Sequence, residues 1–190
     1  MNNNQTPNTD QTLLLRASQG DQDAFGDLYE KYLEPIYRYV RYQILVTEEA
    51  EDLTETIFLK VWELLREGEI QVEIRNFRAW LYRVAHNQLV DYHRKKRPIP
   101  VDFHENPGLA GEADSNTETE VQINLDQDVL LRAIETLDQQ SREVIIMRFI
   151  HGLSHTEVGE ALALEPGHVR VLQHRALKKL KSFISEKDYD

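Results

Sequence analysis

Cysteine is missing altogether from this 190-residue chain. That excludes disulfides and thiolate zinc sites, and it fits a reducing cytoplasm. No apolar run approaches the roughly 20 residues that a membrane-crossing helix needs. The opening stretch MNNNQTPNTDQT has no apolar h-region of the signal-peptide kind. A cytoplasmic protein with no membrane insertion is therefore expected. The chain has no internal repeat, no glycine-rich phosphate loop and no nucleophile beside an identifiable base, so neither a catalytic site nor a cofactor is expected. His151 and His155 are separated by a helix break at Gly152 and do not read as a metal pair. Positive charge is also scarce: Lys and Arg number 22 against 33 Asp and Glu, a net charge of −11.

Such a deficit looks wrong for a nucleic-acid binder until its distribution is considered. Residues 75–97 carry seven Lys or Arg and one acid, Asp91, and residues 168–181 carry five and no acid. Between them, residues 98–131 carry eight acids and neither Lys nor Arg. Two basic patches separated by an acidic tether say more about partners than the total does. Phosphate neutralisation supplies most non-specific affinity for DNA. A chain this acidic is therefore expected to act on DNA while held by something else.

The basic patch nearer the C-terminus lies in the most informative stretch, residues 154–184. Ser154 and Glu157 have the spacing of a capping box. Val158 and Leu162 follow on one helical face, and Ala163-Leu164-Glu165 makes a turn. Pro166 suits the first position of a second helix. Val169, Leu172, Ala176, Leu180 and Phe183 then form an apolar stripe opposite His168, Arg170, His174, Arg175 and Lys178. This pattern describes a helix-turn-helix whose second helix reads a major groove. It also describes a solvated basic hairpin, and on its own it leaves both readings open.

The preceding chain reads as helices throughout. Residues 1–12 are expected to be a disordered tail. One helix follows from Leu13 to a break at Gly20-Asp21. The next carries Phe25, Leu28, Tyr29, Tyr32, Ile36 and Val40 on one face, and Pro35 is expected to kink or split it. Its tyrosines read as core-edge residues. Thr47 is expected to cap a third helix, with Ala50, Leu53, Ile57, Val61 and Leu64 as its core stripe. Phe58, Trp62 and Leu65 form a second apolar strip there. A helix so apolar around its circumference is buried in a larger body or half-covered by a partner. Gly68 ends it, and 68–75 is a loop. Asn76 caps a fourth helix, with Phe77, Trp80, Leu81, Val84 and Gln88 inward, which closes on His93-Arg94-Lys95-Lys96-Arg97. Residues 98–125 read as an extended acidic linker, and helix returns at about 126, with Ala133, Ile134 and Leu137 inward.

Several strings resemble a known family. Phe25-Gly26-Asp27-Leu28-Tyr29, Ala50-Glu51-Asp52-Leu53, Asn76 through Asn87, Arg142-Glu143-Val144 and Gly152-Leu153-Ser154 are similar, in order and spacing, to the extracytoplasmic-function (group 4) sigma factors of the sigma-70 family. The resemblance implies an all-α protein of two small helical modules joined by the acidic linker. Residues 13–97 would form a helical bundle like sigma region 2, and 126–190 a helix-turn-helix domain like region 4. It further implies a transcription initiation factor and no enzyme. Such a factor binds core RNA polymerase at the beta-prime clamp helices and the beta flap, directs it to promoter DNA and assists opening.

On this resemblance Asp52, Glu55, Thr56, Leu59 and Glu63 would face the polymerase. The loop 68–75 would take an unstacked base of the minus-ten element. Asn76, Arg78, Arg83, Asn87, Arg94 and Lys95 would line the separating strand. Glu165, His168, Arg170, Val171, His174, Arg175 and Lys178 would meet the minus-thirty-five element. The linker would thread the RNA exit path, and an anti-sigma factor is an expected partner. With Asp190 soon after the reading helix, no further C-terminal regulatory domain is expected. The chain departs from the family pattern in places. Glu55 stands where Gln is usual, and Gly159 and Ala163 interchange the usual Ala and Gly. Glu165 replaces a Ser or Thr cap, and Val171-Leu172-Gln173 replaces Ser-Arg-Leu. Ala163 is strained if its position needs a positive φ. The alternatives are a stand-alone helix-turn-helix regulator and a decoy that occupies polymerase without reading promoters.

Overall fold

The structure is a computed structural model that describes residues 9–44, 46–66, 74–96, 133–134 and 136–187. Every regular element among them is helical. They fall into two compact units, the first holding the residues up to Lys96 together with Gly159–Leu164 and the second holding the rest.

The first unit contains α1 (Thr9–Ser18), α2 (Gln22–Arg41), α3 (Thr47–Arg66) and α4 (Phe77–Lys96), each in contact with the other three. The break between α1 and α2 is local chemistry. Gly20 takes φ +91°, and the Asp21 amide reaches back to the Arg16 carbonyl at 3.1 Å, closing α1 as a Schellman motif. Asp21 then caps α2, its carboxylate accepting from the Ala24 amide at 3.1 Å. That bond, followed by one from Arg16, holds the Asp21 carboxyl below its usual range.

Several expectations need correction in this unit. α1 begins at Thr9, inside the stretch read as a tail, because Asp10 is buried: it accepts from Tyr32 Oη at 2.6 Å and Lys31 Nζ at 2.5 Å. Pro35 does not split α2. Its missing hydrogen bond costs about 3 kcal/mol, whereas Ile36, Tyr39 and Val40 are fully buried beyond it. Burial at about 1.5–3 kcal/mol for each such side chain outweighs that loss. Thr47 is the first residue of α3 and not its cap; the Val46 carbonyl accepts the first helical bond, from Ala50, at 3.1 Å.

The expected inward stripes of α3 and α4 are buried at Ala50, Leu53, Ile57, Val61, Phe77, Leu81 and Val84 and depart from expectation at single positions. Phe58 and Leu65 are buried and Leu64 only partly so. In α4, Tyr82, Ala85 and Leu89 are buried, while Trp80 and Gln88 are half-buried. Aromatic seams set these faces: Tyr29 meets Phe58 at 4.8 Å, Tyr32 meets Phe77 at 5.4 Å, and Tyr39 meets Tyr82 at 5.3 Å, all edge-on.

In the second unit α5 (Gln139–Ile145) runs directly into a π-helical turn (Ile146–Ile150). It is followed by α6 (His155–Leu162) and α7 (Pro166–Lys187). Asp138 caps α5 through Ser141. Burial opposes its charge, yet the Ser141 bonds win and its carboxyl lies below the usual range. Gly152, at φ +65°, ends the π turn. Ala133, Ile134, Leu137, Ile145, Ala176 and Leu180 form one apolar cluster, with Phe183 against it. Residues 1–8, 67–73 and 97–132 lie outside the described set. The loop 68–75 expected to take a minus-ten base, apart from its last residues, and the expected linker 98–125 fall there with them.

Candidate functional site: one acidic and two basic helix faces

On α3, Asp52, Glu55, Thr56, Leu59 and Glu63 are all exposed. At about 100° per residue they occupy one stripe roughly 100° wide. Leu59 is 63% exposed, a large apolar side chain in the middle of a stripe carrying three carboxylates. Thr56 Oγ1 donates to the Asp52 carbonyl at 2.9 Å, which orients its hydroxyl along the helix, and Glu63 pairs with Lys60 at 3.3 Å. Beside the stripe lies a groove of about 360 Å³ whose walls include Phe25, Tyr29, Phe58, Leu59 and Trp62. The Phe25–Trp62 contact, 4.8 Å between centroids, gives it an aromatic wall. The face thus offers apolar area ringed by negative charge, suited to a protein surface with basic side chains.

On α4, Asn76, Arg83, Asn87 and Arg94 fall within about 40° of one another around the axis, a track the length of the helix. Arg83, Asn87, Arg94 and Lys95 are exposed. Asn76 sits at the cap, its Oδ1 accepting from the Ala79 amide at 3.1 Å. Arg94 makes a surface pair with Asp91 at 3.0 Å, a contact weak enough to yield to a phosphate. Arg78 is not brought to this track. It is half-buried on the opposite side of α4, and its charge acts on the Tyr32 phenol. That phenol is pushed well up by burial and by its bond to Asp10.

The basic end of α4 is anchored by a contact that sequence reasoning missed. The Glu49 carboxylate, in the first turn of α3, accepts from Lys96 Nζ at 2.5 and 2.6 Å and from the Tyr92 hydroxyl. Lys96 Nζ also stands 5.0 Å from the Tyr92 ring centre. The Lys96 bond, then the Tyr92 bond, hold the Glu49 carboxyl below its usual range, and Glu49 holds the Lys96 ammonium above its own. The separations of 43 and 47 residues left no local signal for it.

In the C-terminal unit the capping box is formed on both sides: Ser154 Oγ accepts from the Glu157 amide at 3.1 Å, and Glu157 accepts from the Ser154 amide at 2.7 Å. α6 ends in a Schellman motif, with the Leu164 amide on the Gly159 carbonyl at 2.8 Å. Ala163 occupies its left-handed position at φ 54°. The Glu165 carbonyl accepts the first bond of α7, from Val169 at 3.1 Å.

Along α7, Val169, Leu172, Ala176 and Leu180 are buried, and His168, Arg170, Val171, His174, Arg175 and Lys178 are exposed, as is Glu165 ahead of them. Gln173 lies between the two faces. Its Oε1 accepts from Arg148 Nε at 3.1 Å and faces His155 Nε2 at 2.9 Å, while the Arg148 guanidinium also donates to the Leu153 carbonyl. One amide oxygen thus ties the π turn, the start of α6 and α7 together.

The arrangement of two such units has family counterparts. Residues 28–99 match the family model described as Sigma-70 region 2, and residues 133–182 match Sigma-70, region 4. The chain is 30% identical over 182 residues to the ECF RNA polymerase sigma factor SigD of Mycobacterium tuberculosis, covering 90% of this chain and 82% of that one. The chain belongs to the extracytoplasmic-function branch of the sigma-70 family. It is also 34% identical over 175 residues to the ECF RNA polymerase sigma factor BldN of Streptomyces coelicolor, covering 92% of this chain. It spans 65% of the length of that relative. Among solved structures, CnrH in complex with the cytosolic domain of CnrY superposes with a TM-score of 0.70 at 24% identity, covering 94% of this chain and 99% of that one. That likeness shows the fold. No described helix of this sigma-family chain is long and apolar enough to cross a membrane.

Proposed function

We propose that this sigma-family chain binds core RNA polymerase, directs it to promoters and assists DNA opening. The observation that carries the reading is the segregation of faces. Asp52, Glu55, Thr56, Leu59 and Glu63 share an exposed side of α3, while Arg83, Arg94 and Lys95 are exposed on α4 and Arg170, Arg175 and Lys178 on α7. A polymerase-binding face and two DNA-binding faces on separate elements allow all three contacts at once.

In this reading the α3 stripe meets the clamp helices of the beta-prime subunit, and the C-terminal unit meets the beta flap. Leu59 and the aromatic groove supply buried apolar area, and the carboxylates supply steering and register. Arg83, Asn87, Arg94 and Lys95 follow the strand that separates at the minus-ten element. The exposed side of α7 enters the major groove at the minus-thirty-five element. Residues 13–97 and 126–190 act as the two modules, with the acidic segment 98–125 between them. The family's role is in initiation and not catalysis, and a cytoplasmic site of action follows from the polymerase it serves. An anti-sigma factor covering the α3 face is the expected regulator; the solved CnrH, which shares the fold, carries a bound partner domain.

The test is retention on immobilised core polymerase combined with run-off transcription. The chain is expected to bind DNA weakly alone and strongly with polymerase. Arg170→Ala with Arg175→Ala should leave polymerase binding intact and abolish transcription from the selected promoter. Tight, specific duplex binding by the chain alone would favour the stand-alone regulator, and transcription unchanged in the double variant would overturn promoter reading by α7.

A further inference from the structure

Three residues of α7, Val171, Leu172 and Gln173, depart from the family's usual pattern, and the structure separates their roles. Leu172 is buried. Gln173 turns its amide oxygen to Arg148 and His155, so that oxygen is engaged within the fold. Val171 alone of the three is left on the outer face, 44% exposed. Around the helix it falls between Arg175 on one side and Lys178 and His174 on the other, all exposed. It is the sixth residue of a helix that starts at Pro166. The N-terminal residues of a recognition helix are the ones that reach base edges. Leu177, also exposed at 40%, lies farther along and about 120° away around the axis, outside this group.

A valine has nothing to donate or accept, so it cannot read the hydrogen-bonding edge of a base pair. It can recognise one group in the major groove: the 5-methyl of thymine, which cytosine, adenine and guanine lack. We infer that Val171 is a specificity-determining residue that packs on a thymine methyl in the minus-thirty-five element. The flanking cations hold the adjoining phosphates and guanines. The inference rests on the promoter-reading function proposed above and adds to it a base preference that belongs to this chain's own sequence. The apolar contact also excludes water from beside the methyl, which makes a bare C5–H at that position the poorer fit.

The experiment uses holoenzyme assembled from the full chain and core bacterial RNA polymerase. A promoter library randomised across the minus-thirty-five element is selected with wild-type chain and with Val171→Ser. Wild type is expected to select thymine at one position, and V171S to lose that preference while keeping the others. Deoxyuridine is then placed at that position, which removes the methyl and nothing else. It should weaken wild-type holoenzyme binding roughly four-fold, the worth of one buried methyl group, and leave V171S unchanged. Placing 5-methylcytosine there should bind wild type better than cytosine does. Equal binding of thymine and deoxyuridine, or an unchanged preference in V171S, overturns the inference while leaving promoter reading intact. Failure of the holoenzyme to select any minus-thirty-five sequence overturns both. V171S retention on core polymerase, measured in parallel, separates lost reading from lost folding.

Discussion

Ala163 is the residue whose identity fits its conformation least. Its φ of 54° closes the Schellman motif of α6, and a side chain at Cβ makes the left-handed region costly by about 1–2 kcal/mol. Glycine relieves that strain but loses more backbone freedom on folding. The balance predicts that Ala163→Gly stabilises the protein by about 0.5–1 kcal/mol, read as a rise in the urea midpoint with unchanged slope. Ala163→Val should lower the midpoint, because β-branching makes the left-handed region harder to reach. If the glycine variant were less stable than wild type, the turn would not be the strained position its backbone indicates. Gln173 is the opposite case, a residue whose worth lies in its partners. Gln173→Ala leaves Arg148 Nε without its acceptor and removes the group that His155 Nε2 faces. A partly buried donor that loses its partner costs about 1–3 kcal/mol. Urea denaturation should show that loss, and Gln173→Glu, which keeps an acceptor, should recover most of it.

Among the elements, the start of α3 and the end of α4 are joined by Glu49, Tyr92 and Lys96, which gives that seam a pH dependence of known sign. The folded Glu49 carboxyl lies below its usual range, so its contribution is present above the ordinary carboxylate pKa and lost as pH falls through the lowered value. The folded Lys96 ammonium lies above its usual range, so its contribution is present below the ordinary ammonium pKa and lost as pH rises through the raised value. Glu49→Gln should therefore melt below wild type at neutral pH. The two melting curves should converge as pH drops below the carboxylate range; a gap that persists there would place the effect in something other than this charge pair.

The same seam shows what was legible beforehand. Helix ends set by neighbouring residues were readable: Asn76 as a cap, Gly20-Asp21 as a break, and Ser154 with Glu157 as a box. The inward side of α7 was readable too, because its apolar residues form a single stripe. α3 is apolar on most sides, so periodicity alone could not choose between Leu64 and Leu65; rings on α2 made the choice. Contacts across 22 to 47 residues, such as Asp10 with Tyr32 or Glu49 with Lys96, depend on how helices cross, which no local pattern encodes. For the candidate site, residue types and spacing indicated which helices carry the faces. Arg78 turned away because α4 is rotated to seat Phe77 and Tyr82 against α2.

For the molecule as a whole, the governing quantity is where charge lies. Residues 98–131 hold eight of the 33 acids and separate two basic stretches in the sequence. If that negative segment competes with phosphate for the same cations, the chain is self-screened and polymerase relieves the competition by drawing the segment elsewhere. Replacing those eight acids by Asn and Gln changes the net charge from −11 to −3, since −11 + 8 = −3. The neutralised chain should bind a single-stranded oligonucleotide more tightly than wild type at low salt, by fluorescence anisotropy. The gain should shrink as ionic strength approaches about 0.2 M, where charges beyond roughly 8 Å no longer act on one another. Equal affinities at low salt would show that the acids do not restrain the basic faces. Polymerase would then supply position alone, and the weak DNA binding expected of the lone chain would reflect how few phosphates each face can reach.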